Sequence, residues 1–160
     1  MRYWAILMLF VLCACGGGKN SGAKEEAYSV LTALKEALRD FLALSKDRDK
    51  LERLVPSVFY RVLREGDGPV PTDTSMVTVH YEGRLKGGQV FDSSYDRGTP
   101  WTVRVDSTIA GWKDVLTHLP CGSKWFVYIY FDKAYGDQSV AGIPAMSNLY
   151  FTMELLEVRE

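Results

Sequence analysis

Residues Val77 to Ser94, VTVHYEGRLKGGQVFDSS, admit few folds. Val77, Val79 and Tyr81 alternate with Thr78, His80 and Glu82, the period of a strand buried on one face. Gly87-Gly88 follows, a pair that bends the chain where side chains would strain it. Val90 and Phe91 then begin a return strand. Asp92 to Gly98 is polar and reads as a loop or bulge. Such a hairpin buries one apolar face and needs further strands or a helix to cover it.

The rest of the chain supplies them. Pro56 to Gly68 alternates Val58, Tyr60 and Val62 with Phe59, Arg61 and Leu63, a strand ending in Glu65-Gly66-Asp67-Gly68-Pro69. Beyond Pro100, Trp101, Val103 and Val105 alternate. Asp106-Ser107-Thr108 reads as a helix entry, Trp112, Val115 and Leu116 as one face of a short helix, and Pro120-Cys121-Gly122 as its end. Lys124 to Phe131 and residues 149–158 are rich in aromatic and β-branched residues and read as strands. We therefore expect an α+β domain over residues 56–160, an antiparallel sheet wrapped on one short helix.

The N-terminus follows a different logic. Arg2 precedes an unbroken apolar run, Tyr3 to Leu12, too short to span a bilayer as a mature helix. Leu12-Cys13-Ala14-Cys15 resembles a bacterial lipoprotein cleavage box, which implies a leader over 1–14 and a lipid-modified Cys15 that anchors the chain to a membrane. Residues 15–22 read as a flexible tether. Ala27, Leu31, Leu34, Leu38, Phe41 and Leu42 recur at helical spacing, so 23–55 is expected to be an amphipathic helical extension, with Leu51 and Leu54 as its continuation. The stripe is expected either to pair with a second copy, giving a homodimer through residues 23–54, or to dock on its own domain or serve as a simple spacer. With Cys15 acylated, Cys121 lacks an intramolecular partner and is expected to be buried as a small apolar residue.

Composition narrows the function. Nineteen Lys and Arg against 20 Asp and Glu leave a net charge near −1, which gives no basic surface for nucleic acid. The two histidines, His80 and His118, lie far apart with no Cys/His/Asp cluster, so neither a metal site nor a cofactor is expected.

Six segments, the residues 77–94 hairpin, EG-G at 65–68, IAGW at 109–112, AYG at 134–136, GIP at 142–144 and YFTMELLEV at 150–158, together resemble the FKBP family of peptidyl-prolyl cis/trans isomerases. The resemblance implies an apolar basin between a concave sheet and the short helix. Its catalytic set would be Tyr81, Phe91, Asp92 and Tyr135. Substrate would rest on Trp101, Val103, Ile109, Trp112, Ile143 and Phe151, with Trp112 as the floor under the proline ring. Asp92 would be held by the Tyr81 hydroxyl, and the Ile109 N–H and Tyr135 hydroxyl would bond substrate carbonyls. Trp101 stands where the family commonly has Phe. The segment YGDQSVAGIPAMSNLYF, 135–151, keeps one proline of the family's flap and replaces the next with Ala145. Implied substrates are proline-containing unfolded or exported proteins, met in the bacterial cell envelope, with the outer membrane facing the periplasm as the expected site. A chaperone or proline-peptide binding module with little turnover is the competing reading, and a purely structural lipoprotein is a third. Taken singly, each aromatic of the set is equally well a core residue.

Overall fold

The computed structural model describes residues 50–160. The leader, Cys15, the tether and most of the helical extension lie outside the described residues.

Seven strands form one antiparallel sheet: β1 (Glu52–Val55), β2 (Val58–Arg64), β3 (Met76–Arg84), β4 (Val90–Ser93), β5 (Trp101–Arg104), β6 (Lys124–Ile129) and β7 (Leu149–Arg159). Their order is β1-β2-β6-β7-β3-β4, with β5 also on β3. Among the described residues one α-helix, α1 (Ala110–Leu116), follows a 3₁₀ turn over Val105–Ser107. The α+β arrangement of a sheet around one short helix agrees with the sequence.

Strand β3 organises the sheet. Its whole length, Met76 to Arg84, pairs with β7. The other edge is shared end to end, Met76–Val79 with β5 and Glu82–Arg84 with β4. At the junction the buried Ser94 replaces a ladder partner. Its Oγ accepts from the Tyr81 N–H at 2.7 Å, and its own N–H donates to the Tyr81 carbonyl at 2.9 Å. The backbone of β3 is thus satisfied where β4 leaves it, as burial requires. The chain between β4 and β5 can then bulge away as a loop.

Alternation sorts the side chains onto two faces. Val77, Val79 and Tyr81 of β3, Trp125, Val127 and Ile129 of β6, and Phe151, Met153 and Leu155 of β7 face Trp112, Val115 and Leu116 of α1 in one core. On the opposite face Phe126, Tyr128 and Tyr150 form a second cluster with Leu51 and Phe59.

Several local expectations are corrected. Glu52–Val55, expected to continue the helical extension, is a strand paired with β2. The positive φ of Ser57, 67°, closes that hairpin. A tight turn lets Leu54 and Val55 pack on the main core, a tertiary contact that outweighs the local helical spacing. Asp92 and Ser93 remain in β4, because Gly83 and Glu82 pair with them. Strand β5 stops at Arg104, and Val105 turns inward, fully buried. Helix α1 starts at Ala110, not at Asp106, and ends at Leu116, where the Thr117 hydroxyl donates back to the Lys113 carbonyl at 2.9 Å. Cys121 is half-buried, its thiol donating to the Leu156 carbonyl.

Candidate active site

Between the concave face of the sheet and the start of α1 lies a cavity of about 620 Å³, lined by Tyr81, Phe91, Asp92, Arg97, Trp101, Ser107, Thr108, Ile109, Trp112, Tyr135 and Phe151. Each element contributes for a local reason. β3 turns Tyr81 inward by alternation, and β4 brings Phe91 beside Phe151 of β7. The extended N-cap of α1 presents Ile109, and the first turn of the helix sets Trp112 at the bottom.

The rings meet edge to face, the arrangement that aligns ring edges with π faces. Trp112 is 4.9 Å from Tyr81, 5.8 Å from Trp101 and 5.3 Å from Phe151, centroid to centroid, and Phe91 is 5.6 Å from Phe151. Three walls thus converge on the Trp112 indole, which is buried beneath them. Trp101 stands at the rim, 39 % exposed.

The polar groups gather on one side. The Tyr81 hydroxyl donates to Asp92 Oδ2 and accepts from Arg97 Nη2 at 2.9 Å, while Arg97 Nη1 pairs with Asp92 Oδ1. The guanidinium carbon lies 5.4 Å from the Tyr81 ring centroid. Burial, with the Asp92 carboxylate next, pushes the Tyr81 hydroxyl up to about 12. It is therefore a phenol that donates throughout the neutral range. Burial and the Asp92 charge also push the Tyr135 hydroxyl up. The N–H of Ile109 has no protein acceptor among the described residues, since α1 begins beyond it. The cavity therefore offers apolar walls, a fixed carboxylate and unspent donors.

Of the ten residues expected at the site, Tyr81, Phe91, Asp92, Trp101, Ile109, Trp112, Tyr135 and Phe151 line this cavity. Val103 and Ile143 do not. Val103 is half-buried against the core, and Ile143 is 3 % exposed within it. A two-residue turn explains the latter. Val140 and Ile143 exchange both backbone hydrogen bonds, at 3.0 and 2.8 Å, around Ala141 and Gly142 at positive φ. That tight closure folds Ile143 inward. The sequence places Arg97 only within a polar loop, 92–98. Its signal was a lone cation five residues after the one carboxylate that needed a partner.

Fold and cavity together define a half-wrapped sheet carrying a ligand basin at the mouth of its only described helix. Residues 68–156 match the family model described as FKBP-type peptidyl-prolyl cis-trans isomerase. The chain belongs to that family. It is 40 % identical over 126 residues to the peptidyl-prolyl cis-trans isomerase Mip of Coxiella burnetii, covering 78 % of this chain and 55 % of the relative. Over 100 residues it is 46 % identical to the FKBP-type 22 kDa peptidyl-prolyl cis-trans isomerase of Escherichia coli, covering 62 % and 48 %. The chain thus spans about half the length of the curated relatives it matches. Among solved structures, a peptidyl-prolyl cis-trans isomerase from Pseudomonas syringae superposes with a TM-score of 0.67 at 35 % identity, over 78 % of this chain and 92 % of that one. FkpA from Escherichia coli superposes with 0.67 at 31 % identity, over 88 % and 73 %.

Proposed function

We propose that this protein is a peptidyl-prolyl cis-trans isomerase that rotates Xaa-Pro bonds in exported proteins. The observation that carries the reading is the aromatic cavity with Trp112 at its base and the Tyr81–Asp92–Arg97 cluster on its wall. The barrier to peptide rotation, about 18–20 kcal/mol, comes from C–N double-bond character. No covalent bond is made or broken, so no nucleophile or general base is needed. The twisted amide has lost resonance charge and is less polar than the planar one. A dry aromatic basin therefore favours it over the ground state. Trp112 supports the proline ring, and Phe91, Phe151 and Trp101 wall it in. The Ile109 N–H and the Tyr135 hydroxyl hold the flanking carbonyls. Asp92, clasped by Tyr81 and Arg97, presents a fixed negative potential to the rotating carbonyl carbon. Val103 and Ile143 act from behind, supporting the walls.

The N-terminal half of the reading concerns place. Residues 1–14 are a leader, Cys15 is acylated, and the domain works in the bacterial envelope at the end of the 15–22 tether. The printed name of a relative, outer membrane protein MIP of Legionella longbeachae, 36 % identical over 121 residues, supports an envelope location. The outer membrane facing the periplasm is the favoured surface. The amphipathic stripe of the extension, 23–55 less its strand residues, packs either on a second copy or on its own domain. The 56–160 boundary moves back to Glu52 with β1.

The test is catalysed isomerisation of a short Xaa-Pro-Phe peptide by the full chain in detergent, beside Asp92→Ala. Acceleration lost in the variant supports the isomerase. Tight peptide binding without acceleration supports the chaperone or binding module instead. Palmitate incorporation abolished by Cys15→Ser tests the anchor.

A further inference from the structure

Two groups of the cavity must keep a fixed span if they are to hold one peptide between them. The Ile109 N–H lies at the N-cap of α1, and Tyr135 lies beyond β6, after the 3₁₀ turn Phe131–Lys133. They belong to different elements, so their span depends on how that turn packs against the helix. The packing is close at one point. A Cβ on Gly111 of α1 would lie 2.5 Å from Ile129 Cγ2 and 3.1 Å from the Lys133 carbonyl oxygen. Helix and turn therefore touch there with no side chain between them. A single contact fixes their separation and still lets the turn pivot. Asp114 supplies a second contact. It follows Gly111 by three residues, on the same side of the helix, and its Oδ2 lies 3.1 Å from Lys133 Nζ. That oxygen is shut off from solvent and accepts no hydrogen bond among the described residues. The lysine charge is what balances it there. Lys133 thus grips α1 twice, with its carbonyl beside Gly111 and its ammonium at Asp114, and Tyr135 follows two residues later.

We propose that Asp114 and Lys133 are positioning residues, whose ion pair sets the span between the Ile109 N–H and the Tyr135 hydroxyl. The inference rests on the reading above, in which these two donors take the carbonyls that flank the rotating bond. The segment's other ties run away from the helix. The Phe131 N–H donates to Asn148 Oδ1 at 3.0 Å, and the Met146 N–H donates to the Gly136 carbonyl at 2.8 Å. A second ion pair on α1 gives the contrast. Lys113 Nζ lies 2.7 Å from Asp73 Oδ2, and the loop that carries Asp73 contributes no side chain to the cavity. Both donors hold the peptide before and during rotation, so a lost span weakens binding uniformly and appears in KM, not in kcat. A pair with a purely structural role would instead lower the active fraction, and kcat with it, at unchanged KM.

Saturation kinetics of the full chain in detergent on a short Xaa-Pro-Phe peptide test it. Asp114→Asn keeps the side-chain shape, removes the charge and leaves Lys133 free to turn to solvent. Its KM should rise about fivefold, the effect of one weakened hydrogen bond, with kcat unchanged. Lys113→Met should keep the wild-type KM. In a Tyr135→Phe background Asp114→Asn should add no further rise, because the hydroxyl it positions is already gone. Lys133→Met serves where Asp114→Asn does not fold, with the same direction expected. An unchanged KM in the folded variant overturns the inference while wild-type turnover upholds the isomerase reading. So does an equal rise with or without the Tyr135 hydroxyl, or a matching rise in Lys113→Met. If the wild type binds the peptide without accelerating rotation, the isomerase reading fails alone. The dissociation constant, read by tryptophan fluorescence, then takes the place of KM in the same comparison. A wild type that neither binds nor turns over the peptide overturns both.

Discussion

Phe91 and Phe151 meet edge to face across Gly83, with 5.6 Å between ring centroids. The space is available because Gly83 has no side chain. A Cβ there would lie 2.5 Å from Phe91 Cζ and 2.9 Å from Phe151 Cε1. Gly83→Ala should therefore push both rings into the cavity. Overpacking of this kind costs about 1–3 kcal/mol of stability. Isomerisation should fall as well, and a melting curve beside a peptide assay reads both. A variant with wild-type activity and stability would mean that these rings do not form a rigid wall.

Asp92 has two partners that depend on it. Asp92→Ala leaves the Tyr81 hydroxyl and the Arg97 guanidinium without their carboxylate, and the cavity lining loses its negative charge. Each tenfold loss of rate corresponds to about 1.4 kcal/mol of transition-state stabilisation, and a loss of one to two such factors in kcat/KM is expected. Arg97→Lys should recover only part of the loss seen in Arg97→Ala, since an ammonium cannot bridge carboxylate and phenol with one planar fork. Equal activity in the two Arg97 variants would deny the clasp a role.

Trp101 sits at the rim and Trp112 at the base, which separates their effects. Trp101→Ala should alter melting little, because exposed positions usually shift stability within about 0.5 kcal/mol. Its substrate KM should rise. Trp112→Ala removes a buried ring, a change worth about 3–5 kcal/mol, and should lower stability and activity together. Calorimetry with saturation kinetics distinguishes the two patterns.

The Tyr81 hydroxyl gives the pH dependence. Its value in the fold, about 12, lies above the ordinary phenol value of 10.0. The folded state thus holds this proton more tightly than the unfolded chain. Its contribution, about 2–3 kcal/mol as an order of magnitude, is complete below pH 10 and is lost as pH rises through 12. Denaturation followed from pH 8 to 12 should show that decline, and Tyr81→Phe should make it shallower, with the Tyr95 and Tyr135 hydroxyls, also raised by burial, accounting for what remains. Near neutrality this group should impart no pH dependence to catalysis.

Much of the domain was legible because its signals are local. The alternation in β3 and β6 named their buried faces, and dispersed family motifs named eight of the cavity's residues in order. What went unread depends on neighbours distant in sequence. Leu54 satisfies helical spacing, yet a tight turn at Ser57 lets it pair as strand and reach the core. Ile143 resembles a ligand contact, yet the two-residue turn around Ala141 and Gly142 folds it under the surface.

The sequence by itself determined the sheet-and-helix class, the inward faces and the aromatic set, because periodicity, turn chemistry and motif order are properties of adjacent residues. Only the tertiary structure decided that Ser94 stands in for a strand partner, that the loop it releases brings Arg97 onto Asp92 and Tyr81, and that the outer aromatic face is buried. Each of these joins segments that no local pattern connects. They exist because buried polar groups and large apolar faces must find partners, and the fold selects which ones.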